Sequence, residues 1–121
     1  MKTYKASKSP DSATWLALGE SERLALIEEY VEKFEDEIDN VNIHACAHMV
    51  VENQLALNVE DTVNAYLRLM RQGLNRHEII HAIGAVIFEE VYTSIKEKQS
   101  IHKYKSRLRK LTAKRWLKGK Y

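Results

Sequence analysis

The pentapeptide His77-Glu78-Ile79-Ile80-His81 reads H-E-x-x-H. On a helix, residues four apart stack on one face, so both imidazoles can reach one metal ion. The glutamate between them is then the expected general base toward a metal-bound water. A second set, His44, His48 and Glu52, recurs at i, i+4 and i+8. Four of the five histidines therefore fall into two matched pairs. Two such helices side by side, with axes about 8–10 Å apart, would bring both pairs to a common point. The expected metal ligands are His44, His48, Glu52, His77 and His81, with Glu52 either a ligand or an acceptor for an imidazole N–H. Imidazole suits zinc, iron, copper and nickel alike; zinc is the first expectation and iron the second.

The elements that must position these residues are helices. Only Pro10 and four glycines punctuate 121 residues, too few for the turns of a strand-rich fold. The chain length suits one domain with one core. The expectation is an all-α, compact bundle of five or six helices. Residues 1–8 carry no periodicity and are expected as a flexible arm, 9–99 as the helical domain holding the site, and 100–121 as a basic C-terminal helix and tail.

Within the domain, Leu24, Ile27, Val31, Phe34 and Ile38 advance by three and four, giving an amphipathic helix with Glu28, Glu29, Glu32, Glu35 and Asp36 on its wet side. Asp39-Asn40 breaks it and caps a helix over 41–57. There, apolar residues from Val41 to Leu57 cover most of the circumference, the pattern of a central, buried helix. The exceptions His44, His48 and Glu52 share a face. Each, if left unsatisfied, would cost roughly 1–3 kcal/mol, so they need partners. One solution is a metal. The other is a polar cluster closed by Glu52, Asn53, Gln54 and backbone carbonyls. The H-E-x-x-H helix runs over about 75–98, and Asn75 with Glu78 three residues later also fits a capping box, a competing job for Glu78. Gly84, one turn beyond His81, would let a backbone or a ligand approach.

His77, Glu78, His81 and Gly84 match H-E-x-x-H-x-x-G and in this resemble zinc metalloproteases. The longer metzincin pattern expects a histidine where this chain has Ile87, so a third ligand would have to come from elsewhere. The wider arrangement, His44-x3-His48-x3-Glu52-Asn53-Gln54 followed by Arg76-His77-x3-His81-x-x-Gly84, resembles a small all-helical bacterial domain family of unknown function, over about Ile43 to Glu90. That resemblance implies a compact helical domain with paired histidines and supplies no activity.

Charge is divided. Residues 1–95 hold eight Lys/Arg against sixteen Asp/Glu; residues 96–121 hold eleven against one. A basic tail of this kind either docks on the acidic first helix or seeks phosphates elsewhere. The nucleic-acid reading rests on Lys103, Lys105, Arg107, Arg109, Lys110, Lys114, Arg115 and Trp116. A third reading is an interaction module that pairs through an exposed apolar helix face, as monomer or homodimer. A lone Cys46 leaves no intrachain disulfide, and no uncharged apolar run approaches membrane-spanning length, so a cytoplasmic protein with no membrane partner is expected. No catalytic triad order, phosphate loop or dinucleotide fingerprint is present.

Overall fold

The structure, a computed structural model, describes residues 1–97 and 103–119; the side chains of 92–97 and 103–104 lie outside that description, as do the expected cap at Ser100, Ile101 and Tyr121. Among the described residues there are seven helices and no strand: α1 (Ser12–Ala17), α2 (Glu20–Phe34), α3 (Val41–Ala56), α4 (Glu60–Arg71), α5 (Arg76–Glu97), α6 (Lys103–Lys110) and α7 (Ala113–Leu117). They pack into an all-α bundle. Two of the seven are single-turn-scale pieces, and the basic segment is split at Leu111-Thr112, which is why the count exceeds five or six.

The helix starts follow local chemistry. The Asp11 carboxylate accepts from Thr14 N at 3.0 Å, and the Asn40 side chain accepts from Ile43 N at 3.0 Å. α4 ends with Gly73 at φ 99°, a left-handed position that glycine adopts without strain. α2 stops earlier than its hydrophobic period suggests. Glu35 turns to extended geometry at the C-cap, Glu37 takes φ 60°, and Ile38 is carried off the helix into a connecting loop.

α3 is the hub, packing on α1, α2, α4 and α5. Two hydrophobic clusters lie on either side of it. Tyr4, Ala6, Trp15, Ile27, Val31 and Ala45 form one, at the N-terminal side. Val51 joins α4, α5, α6 and α7 in the other, through Leu69, Ile80, Ile83, Leu108 and Leu111 among others. α3 and α5 approach closely at Gly84: a Cβ there would stand 3.5 Å from the Ala47 carbonyl oxygen. One turn back along α5 and one residue on along α3, the same closeness brings His81 and His48 together.

Two expected boundaries change. The first eight residues are not a loose arm, because Tyr4 and Ala6 are buried in the core. The basic C-terminal segment does not dock on the acidic α2. Leu108, Leu111 and Ala113 are core residues, so α6 is drawn onto α4 and α5. Arg107 there pairs with Glu90 at 2.7 Å and Arg109 with Asp61 at 3.2 Å.

Candidate metal centre

Four imidazoles converge on one carboxylate, and that carboxylate is Glu35. Glu35 Oε1 lies 2.9 Å from His44 Nε2, 3.0 Å from His77 Nε2 and 2.7 Å from His81 Nε2, while Oε2 lies 3.2 Å from His48 Nε2. The ring nitrogens also crowd one another: His44–His48 at 3.2 Å, His48–His81 at 3.1 Å and His77–His81 at 3.0 Å. α3 supplies His44 and His48 and α5 supplies His77 and His81, as the spacing required. The break at the end of α2 supplies Glu35. Within the cluster, Glu35, His44, His48 and His81 each offer one ligand atom, all within 4.8 Å of one another, a grouping that can hold a metal ion.

Ligand atoms around one ion at Zn–N distances of about 2.0–2.1 Å sit ~2.9 Å apart in octahedral and ~3.4 Å apart in tetrahedral geometry. The observed N···N separations fall between these. A proton count says the same thing. Tyr4 Oη donates its single proton to Glu52 Oε2 at 2.5 Å. The 3.2 Å contact between Tyr4 Oη and His48 Nδ1 must then be a donation from His48. Burial lowers the His48 pKa, favouring the neutral ring, and a neutral ring protonated at Nδ1 presents a bare lone pair at Nε2. With His48 Nε2 bare, only the three other ring Nε2 atoms are left to donate into seven close contacts. Glu35 Oε2 is buried without a hydrogen bond, in a side chain only 5% exposed. Burial by itself would raise the Glu35 pKa; the imidazoles crowded around it outweigh that and hold the group well below the usual carboxylate range. The cluster is rich in lone pairs and short of protons, which is the condition a cation relieves.

Glu52 is not brought to the cluster. Its two oxygens accept from Arg76 Nη2 at 2.6 Å and Nη1 at 2.8 Å, and Tyr4 takes up a further lone pair. It acts instead as the acceptor behind Tyr4, which in turn holds the His48 ring, the outer arrangement typical of metal-binding histidines. Glu78 also stays away: its Oε1 accepts from Asn75 N at 3.0 Å while Asn75 Oδ1 accepts from Glu78 N at 2.9 Å, a reciprocal cap at the start of α5. That geometry removes the expected base of the H-E-x-x-H reading. Nor do Asn53 and Gln54 satisfy the histidines. Asn53 accepts from Trp15 and Arg23, and Gln54 from Thr62.

Sequence reasoning missed Glu35 and Tyr4. Glu35 looked like one more carboxylate on a wet helical face. The available signal was the Asp36 to Asn40 run, rich in helix-breaking residues, which could have ended α2 early and freed Glu35 to turn inward. Tyr4 carried no signal at all.

Beside the cluster lies a cleft of about 590 Å³ whose walls include His44, His48 and His81. The basic residues are elsewhere. Lys105, Arg109, Lys110, Lys114 and Arg115 are exposed, Arg107 is held by Glu89 and Glu90, and Trp116 forms part of the cleft wall. No helix among the described residues is long and apolar enough to cross a membrane. No family model, curated protein or solved structure matches this chain.

Proposed function

We propose that this is a metal-binding protein in which His44, His48, His77 and His81, with Glu35, hold one divalent first-row transition ion. The observation that supports this is the convergence of four Nε2 atoms on the two oxygens of Glu35, with Oε2 buried and without a hydrogen bond. Four imidazoles and one carboxylate favour zinc or iron over magnesium or calcium, which prefer all-oxygen shells. Zinc is the first candidate. The one carboxylate leaves a dication with a net positive charge, so the bound ion would act as a Lewis acid toward anything that reaches it.

A hydrolytic role follows only if the ion keeps an exchangeable position. Glu78 is not available as its base, so such chemistry would rest on the ion and on Glu35. The test is the metal content of chelator-free protein by mass spectrometry. About one zinc or iron per chain is expected in the parent, and loss of it in the His48→Ala, His81→Ala double variant and in Glu35→Gln. A parent that neither carries nor takes up metal on reconstitution would end the reading.

Nucleic-acid binding by the basic segment is the second reading, favoured by the exposure of Lys105, Lys110, Lys114 and Arg115. Because Leu108 and Leu111 are core residues, charge reversal is the proper test rather than truncation. Lys110→Glu, Lys114→Glu and Arg115→Glu together should abolish salt-sensitive retention on DNA or RNA. Unchanged retention would exclude it.

A further inference from the structure

The cleft beside the cluster has the volume of a small-molecule site, which typically runs to about 300–1,000 Å³. Its walls are chemically mixed. His44, His48 and His81 line it together with the apolar side chains of Ile43, Ile80, Phe88 and Trp116. Glu37, Asp39 and Glu89 add carboxylates, and among the described residues no lysine or arginine lines it. Solvent reaches the cluster: the His44 and His81 side chains, which line the cleft, are 25% and 31% exposed, as is His77 at 31% outside it, whereas His48 is 1% exposed.

We propose that the cleft binds a small neutral or cationic molecule with an aromatic or branched apolar body and a single nitrogen or oxygen donor that completes the metal's coordination. The inference rests on the metal reading above. Glu35, His44, His48 and His81 are the four donors whose ligand atoms all lie within 4.8 Å of one another, and even with His77 as a fifth a six-coordinate ion keeps one position; three of the four histidines line the cleft. The apolar walls would bury the ligand's body. The carboxylates, with no lysine or arginine among them, disfavour a ligand that carries an anion on that body. Trp116, which lines the same cleft as the histidines of α3 and α5, gives the C-terminal segment a role in the site that its charge did not suggest.

The test uses the full chain loaded with cobalt(II), whose visible bands report the coordination sphere, with metal content measured first on the same sample. Imidazole and 4-phenylimidazole are titrated in. 4-Phenylimidazole should shift the bands and bind at least about tenfold more tightly than imidazole, from burial of its ring. Its para-carboxylate derivative should lose most of that gain. Ala85→Phe, which narrows the cleft, and Ile43→Ala, which removes an apolar wall at a half-exposed position, should both reduce the advantage of the phenyl ring while leaving the cobalt spectrum of the ligand-free protein intact. Equal affinity for the two imidazoles, or binding of 4-phenylimidazole without a change in the bands, would overturn the proposal. Failure of the parent to retain cobalt or any other ion would instead fall on the metal reading itself, and this inference would go with it.

Discussion

Two buried polar clusters lie one helical turn apart on α3, and they are built on opposite principles. Around Glu52 donors meet both carboxylate oxygens: Arg76 offers two N–H groups to them and a third contact to the Ala6 carbonyl, Tyr4 supplies a further proton, and Arg76 Nε alone is left without an acceptor. Around Glu35 they do not. Four ring nitrogens and two oxygens face inward with too few protons to go round. The first cluster satisfies its carboxylate and the second leaves one oxygen of Glu35 without a hydrogen bond. A buried polar group is stable when partnered and costly when not, so the imbalance at Glu35 points to a cation in a way that the mere presence of histidines does not.

The strongest way to break that contrast is at the Glu52 cluster. Arg76→Ala leaves the Glu52 carboxylate buried and unpaired, and should destabilise the protein by about 3–5 kcal/mol in denaturant unfolding, with or without metal. A loss below about 1 kcal/mol would mean that the pairing described for Glu52 is not a stabilising one. At the Glu35 cluster, zinc at about a thousandfold its dissociation constant should stabilise the parent by roughly 4 kcal/mol, and should leave the His48→Ala, His81→Ala variant unmoved. Equal stabilisation of both would place the ion elsewhere.

The two clusters meet at Tyr4, and there the contrast can be sharpened. Tyr4→Phe removes the hydroxyl that fixes the His48 ring, and should lower metal affinity by about 10–100-fold while every ligand remains in place. Nitrogen-15 NMR of the metal-free parent should find His48 protonated at Nδ1. An Nε2 proton there would contradict the count of protons made for the Glu35 cluster. The smallest effect is expected at Glu78. Glu78→Ala should cost about 0.5–1 kcal/mol of stability as a lost cap and leave metal affinity within twofold. A tenfold fall in affinity would restore Glu78 to the site.

How much of this was legible in the sequence follows from the range over which each signal acts. The helices bearing the histidines were readable because i, i+4 spacing and an all-round apolar pattern are local properties. The observed α3 and α5 match the expected spans to within a residue or two. Glu35 was not readable, because periodicity assumes that the helix continues. The helix ends at Phe34, so the apolar Phe34 is 66% exposed and the charged Glu35 turns inward, the reverse of the helical assignment. Glu52 was read correctly as buried and in need of a partner, but its partner Arg76 stood unnoticed beside His77. Tyr4 sits in a stretch with no repeating pattern, and its burial is a purely tertiary fact. Leu108 and Leu111 were legible as the inner face of the C-terminal helix and are buried, but the surface they pack on was judged from charge, and with Ala113 and Trp116 they join the cluster of α4 and α5 instead.

Glu35 reaches His77 across 42 positions of chain, and Tyr4 reaches His48 across 44. Contacts so distant along the sequence close late, after the helices have formed and collapsed, because the loops they define must be shut before any reward is gained. An ion held by such contacts therefore has little hold on the folding transition state. Its stabilisation should show as a slower rate of unfolding with an unchanged rate of refolding, so the metal would set the lifetime of the native protein rather than the speed at which it is made.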